Sequence, residues 1–243
     1  MSLRRTNLGS MLVASGATER GERELKLALD TDLESFGEGN PNVSRVRSWF
    51  GYARAELGDF EGARELLERA LASDLRSLGD DHFLVGLHRF RLARTLHALG
   101  RVSEARELLE RALQSARDHK EDDHPRIVGY KSALAWVLHD LGERERALAL
   151  LQDTYDREVR HGREGRQETA ELHARLGLLL YRSGAVERAR AHVRQALQAR
   201  KSLSMYRSRS EEIASIALEV LGDADAQTLS SCPSSGCSEE GAT

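Results

Sequence analysis

Cysteine, proline and aromatic residues are scarce in this 243-residue chain, and each shortage closes off a class of protein. The 2 cysteines, Cys232 and Cys237, both stand near the end, so no disulfide framework supports the fold. Two thiols also fall short of the four ligands of a structural zinc site. With 3 prolines and 5% aromatics, helix formers dominate, above all Leu, Ala, Glu and Arg. No apolar run reaches the ~18 residues of a membrane-spanning helix. The opening Met1-Ser2-Leu3-Arg4-Arg5 leads straight into periodic sequence without a signal peptide, so a cytoplasmic protein is expected, with no membrane partner. A net charge of −3 gives no broad attraction to nucleic acid. Lysine is confined to Lys26, Lys120, Lys131 and Lys201; that Arg bias suggests a GC-rich bacterial genome. There is no Gly-rich phosphate loop, no His-Glu-x-x-His and no rigidly placed Ser or Cys nucleophile, so neither catalysis nor a cofactor is expected.

What the chain has is repetition. Gly16, Gly58, Gly100, Gly142 and Gly184 are each 42 residues apart, without an insertion. At −8 and −7 from each glycine stand a large apolar and a small residue: Leu8-Gly9, Phe50-Gly51, Leu92-Ala93, Leu134-Ala135, Leu176-Gly177. A small residue follows at +5, namely Gly21, Ala63, Ala105, Ala147 and Ala189. Leu25, Leu67, Leu109, Leu151 and Val193 occupy +9, and Ala28, Ala70, Ala112, Thr154 and Ala196 occupy +12. Positions −8, −4 and −1 share one face of a first helix, and +5, +9 and +12 one face of a second. Small residues let the two backbones approach while Leu fills the seam. Each unit therefore reads as an antiparallel helical hairpin. One hairpin cannot bury both of its apolar faces, so five of them must stack into an all-α solenoid.

This small/large pattern around a turn glycine resembles the tetratricopeptide repeat family over about residues 3 to 205. A standard unit of that family has ~34 residues. The 42-residue unit with its Asp123-His124-Pro125 linker, worn down in Asp81-His82-Phe83 and Asn40-Pro41, is similar to the kinesin light chain type. The resemblance implies a right-handed solenoid of five hairpins, at about 1–37, 43–79, 83–121, 125–163 and 167–205. The Asp-His linkers read as caps of the next helix. Arg54 at −4, where Tyr or Leu is usual, is expected to lay its stem along the seam and reach solvent with its head. Beyond the repeats, Ser208-Arg209-Ser210-Glu211 is a capping-box pattern, and Ile213, Ile216, Ala217, Val220 and Leu221 follow at helical spacing. A solitary capping helix over 206–222 is expected, and then a disordered Ser/Gly/Cys-containing tail over 223–243.

In that family ligand contacts come mostly from the first helix, at positions −13, −10, −6, −3 and −2, on the concave side. Carried to this sequence, those columns place Tyr52, Phe90, Trp136 and Tyr181 as apolar anchors of a groove. Arg94 and Arg182 can hold carboxylates as planar forks, and His97 and His139 stand in equivalent places of consecutive repeats. Adjacent repeats stack at the ~8–10 Å of helix packing, too far for those two imidazoles to share an ion, so no metal is expected. Family members that clamp a chaperone's C-terminal carboxylate use Lys and Asn where this chain has Thr6, Ser10, Ser48 and Tyr52, which disfavours that ligand.

Three functions are compatible with this pattern. The first is a non-catalytic scaffold that binds a peptide or protein segment in its groove. The second is a sensory or regulatory fragment of a larger bacterial signalling protein. The third is a substrate or adaptor of a protease or modifying enzyme acting on the tail. The first repeat begins without a capping segment, so its outward face is expected to pack on a partner or on a second copy.

Overall fold

A computed structural model describes residues 2–118, 124–163, 167–200 and 207–222. Among these residues there are eleven helices and no strand. They are α1 (Ser2–Ala14), α2 (Thr18–Phe36), α3 (Pro41–Glu56), α4 (Phe60–Leu78), α5 (Phe83–Ala98), α6 (Val102–Asp118), α7 (Pro125–Asp140), α8 (Arg144–Arg160), α9 (Gln167–Arg182), α10 (Val186–Arg200) and α11 (Arg207–Leu221). The chain forms two compact units, Met1–Leu150 and Leu151–Thr243. In the first, α1 packs on α2, α3 on α4 and α5 on α6. Contacts of α2 with α3, α4 with α5 and α6 with α7 stack those pairs, and α1, α3, α5 and α7 touch in succession. In the second, α9 packs on α10, and α11 lies against both.

The turn glycine works as its position on the grid requires. Gly100 has φ +75°, its N–H donates to the His97 carbonyl at 3.0 Å, and the Arg101 N–H reaches back to the Leu96 carbonyl at 2.8 Å. This is the Schellman ending of a helix, in which a left-handed residue lets two late carbonyls find donors. The same pair of bonds recurs at Gly16, Gly58, Gly142 and Gly184. At the seam, a Cβ on Gly51 would stand 2.9 Å from Leu67 Cγ and 3.2 Å from the Ala63 carbonyl oxygen. On Gly177 it would stand 2.6 Å from Val193 Cγ2 and 3.1 Å from the Ala189 oxygen. Residues at −7, +5 and +9 thus meet in both units, and every +5, +9 and +12 residue is buried.

Arg54 lies over the Phe50 ring at 5.0 Å and puts its guanidinium on Asp59 at 2.9 Å, half-exposed, so the cation is accommodated at −4 without a hole in the seam. Two helix starts are capped by the linker histidines His82 and His124. His82 Nδ1 accepts from the Leu84 N–H and His124 Nδ1 from the Arg126 N–H, each at 3.2 Å, as Asn40 Oδ1 does from Asn42 at 2.8 Å. Pro41 and Pro125 follow at the first helical positions, where no N–H is missed. α11 runs over Arg207–Leu221, and the side chains of Ser208–Glu211 lie outside the described residues. Ile213, Ile216, Ala217, Val220 and Leu221 are its buried face. Asp123, the tail 223–243 and its two cysteines lie outside the described residues.

One periodic device went unread in the sequence. Arg47 and Arg89, both at −11, are almost fully buried, and each is held by an acid of the preceding linker. Arg47 donates to Glu38 at 2.6 Å, and Arg89 to the Asp80 carboxylate and, at 3.1 Å, to its main-chain oxygen. A buried guanidinium needs such acceptors, and here they tie the linker to the following helix.

Candidate functional site

On α3, α5 and α7 positions −7 and −4 turn toward the paired helix, and −6, −3 and −2 fall one step around and stay partly open. On the first unit this leaves Tyr52 on α3, Arg94 and His97 on α5, and Trp136 and His139 on α7 half-buried along helices that touch in succession.

Between α3, α4 and α5 lies a cavity of about 120 Å³, lined by Tyr52, Ala55, Glu56, Phe60, Leu67, Arg91, Arg94, Thr95 and Ala98. Arg91 is its least expected wall. The side chain is 9% exposed, its guanidinium lies 4.0 Å from the Trp49 ring centroid and 5.4 Å from that of Tyr52, and Nη1 donates to Ser48 Oγ at 2.8 Å. No carboxylate among the described residues pairs with it. Burial, with Arg94 as a like charge nearby, pushes its pKa down to about 10. Arg94 sits at the mouth, 3.9 Å from Glu56 and 5.9 Å from the centre of the Phe90 ring. The cavity therefore combines an aromatic and aliphatic wall with a desolvated positive charge. That is the chemistry to take a negatively charged group carried on a short apolar stem.

The other expected residues are placed as follows. Phe90 stacks on Tyr130 with ring centres 4.9 Å apart, so part of its ring packs α5 on α7 and only part is offered outward. His97 Nε2 donates to Asp140 Oδ2 at 2.7 Å, a link from α5 to α7. Trp136 and His139 lie one turn apart on α7 with ring centres at 5.7 Å. Tyr181 and Arg182 belong to the second unit. There Tyr181 is exposed, and Arg182 pairs with Glu219 of α11 at 3.2 Å. Among the described residues no three His, Cys, Asp or Glu side chains converge on a metal site, and no helix is long and apolar enough to cross a membrane. Arg91 was missed because −9 is a mixed column: Asn7, Trp49, Arg91, Ala133, Arg175. The signal was a cation and an indole at the same position of consecutive repeats.

Comparison with known proteins supports the architecture. A family model described as tetratricopeptide repeat matches residues 43–118 and 87–158, and a second with the same description matches 132–203, so the matches run over 43–203 of the 243 residues. No curated protein matches the sequence. Among solved structures, the nearly identical repeats of a Podosopora anserina protein assigned as a kinesin light chain superpose with a TM-score of 0.65 at 20% identity, covering 82% of this chain and 94% of that one. A thermophilic tetratricopeptide protein of Thermus thermophilus superposes at 0.59 with 22% identity, over 88% and 98% of the two chains. The Rap conjugation gene regulator of plasmid pLS20, in complex with the Phr* peptide, superposes at 0.59 with 14% identity, over 78% and 52%. At these identities the likeness is one of fold.

Proposed function

This chain belongs to the tetratricopeptide repeat family, and from that premise we propose that its first unit binds a segment of a partner protein, with a carboxylate-bearing side chain seated in the cavity between α3 and α5. Members of the family mediate protein–protein interactions and are typically scaffolds without catalytic chemistry. The observation that carries the reading is Arg91, a buried guanidinium whose partners among the described residues are neutral, facing a cavity also walled by Tyr52, Phe60 and Leu67, with the Glu56 carboxylate beside Arg94. An anion there would offset the cost of burying that charge, and Arg94 at the mouth would add a second donor fork. The volume suits one side chain, being about four times that of a liquid water. Trp136 and the exposed part of Phe90 would supply apolar contacts further along the segment. A solved protein of the same fold carries a bound peptide, which makes the class of ligand reasonable.

A peptide array followed by titration of the best binders tests this. Asp or Glu should recur in those binders, and replacing it by Asn or Gln should weaken binding roughly 10-fold. R94A and R94A/W136A should weaken it by about 10-fold or more while far-UV circular dichroism is unchanged. Binders indifferent both to the carboxylate and to Arg94→Ala would overturn the proposal.

A further inference from the structure

α1 presents to solvent a face that its counterparts keep buried. Leu8 at −8 is 48% exposed and Met11 at −5 is 69% exposed. The −8 residues Phe50, Leu92, Leu134 and Leu176 are 7% exposed or less, and the −5 residues Ala53, Thr95, Val137 and Leu179 are 3% or less. Arg4 at −12 is likewise open, where Val46, His88, Tyr130 and Leu172 are buried. In the first unit that face of α3, α5 and α7 receives α2, α4 and α6 respectively. The surface of α1 is therefore continuous in register with an interface built to take a helix.

We propose that α1 is an isologous dimer surface, on which a second copy of this chain lays its own α1 antiparallel. A further hairpin of the same kind fits less well, because it would bury Arg4 where the other first helices carry Val46, His88, Tyr130 and Leu172. A two-fold axis between Asn7 and Leu8 suits the residues better. It sets Arg4 opposite Met11 of the copy and Leu8 opposite the copy's Leu8. Leu8 then meets Leu8 of the copy beside the axis, and Met11 meets the copy's arginine stem. Charge is complementary too. α1 has no basic residue in its last turn, so the negative end of its dipole is unanswered within the helix. In the antiparallel pair the copy's Arg4 reaches that end. A face about 20 Å long is small beside the ~800 Å² per partner of durable dimers, so assembly is expected on the order of tens of micromolar.

Sedimentation of the full chain from roughly 1 to 200 µM, a range bracketing that affinity, reads the outcome. The mass should rise from 27.1 kDa toward double that value. L8E/M11E should stay monomeric throughout, a weakening of at least ~10-fold, with unchanged circular dichroism, and R4A should shift the midpoint to higher concentration. L218E, which alters an exposed leucine of α11, should leave the dimer intact. With both native cysteines changed to serine, L8C should cross-link to itself on oxidation. A monomer at every concentration overturns the proposal and leaves the face to a partner of another sequence. So does a dimer that survives L8E/M11E, or one that L218E abolishes equally. Peptide titration of the groove is a separate readout, so either proposal can fail without the other.

Discussion

Each unit buries an imidazole at a helix seam, and the neighbours of the two are opposite in kind. In the first, His88 Nδ1 lies 3.3 Å from Asp74 Oδ2, both side chains 1% exposed. Burial, and then the Arg91 charge, pushes His88 down to about 3, while burial raises the Asp74 carboxyl above its ordinary value. In the second, His173 Nδ1 lies 3.0 Å from His192 Nδ1, and Tyr155 meets the two rings edge-on at 5.0 and 5.1 Å. Burial, and then the second imidazole, pushes His173 down to about 4, and burial with Arg188 lowers His192 against the opposing pull of Asp156. A lowered imidazole makes the fold lose stability as pH falls below ~6.5, since the unfolded chain takes the proton first. A raised carboxyl does the reverse, adding stability as pH falls. As pH falls, the His88 and Asp74 contributions are therefore opposite in sign, whereas those of His173 and His192 have the same sign. The grid dictates the backbone seam, and the groups that fill it give the two units different responses to acid.

The seam inside one hairpin of each unit, α3 on α4 and α9 on α10, is the second point of comparison, and it carries the largest predicted effect. Gly51→Val and Gly177→Val each force a branched side chain against a facing Leu or Val and a carbonyl oxygen within about 3 Å. Each should cost about 4 kcal/mol, read as a fall in urea midpoint. A clear loss at one site with tolerance at the other would show that the α3–α4 and α9–α10 seams are not equivalent.

Next in size is the acid response. Taking the pH from 7 to 4 should cost the second unit about 3 kcal/mol, seen as a fall in the amide protection factors of α9 and α10 after correction for the intrinsic pH dependence of exchange, while those of α4 and α5 fall less. H173L/H192L should remove that dependence. Equal acid sensitivity in the two units would mean that Asp74 does not offset His88.

The hairpins were legible because their requirements are strict: −7, +5 and +12 must be small, +9 large and apolar, and the turn residue left-handed, so five copies in register leave little choice. The side-chain partners were not, because they join columns that the period alone does not connect. Arg47 with Glu38 and Arg89 with Asp80 pair −11 with −20, a relation present in the sequence but visible only when basic and acidic columns are read together. Arg91 on Trp49 pairs one column with itself a repeat away. His173 on His192 joins −11 to +8 in one hairpin and has no counterpart elsewhere on the grid. Candidate groove residues could thus be named by position, whereas which of them already had partners depended on the neighbours that folding brought up.

Arg182 is the clearest such case, and the smallest predicted effect belongs to it. Its partner Glu219 sits on α11, which is off the 42-residue grid, so no column could have revealed the pair. Both side chains are more than two-fifths exposed, where solvent screens the attraction and two long side chains lose freedom on pairing. Glu219→Gln should therefore move the urea midpoint by less than about 0.5 kcal/mol equivalent. A ligand that used Arg182 would have to compete with Glu219 for the guanidinium, so E219Q should strengthen its binding about 3-fold, and R182A should weaken it. A ligand held by the first unit alone should respond to neither change while still requiring Arg94. Titrating one peptide against E219Q, R182A and R94A thus separates the units: response to Arg94 alone sharpens their contrast, and response to all three removes it.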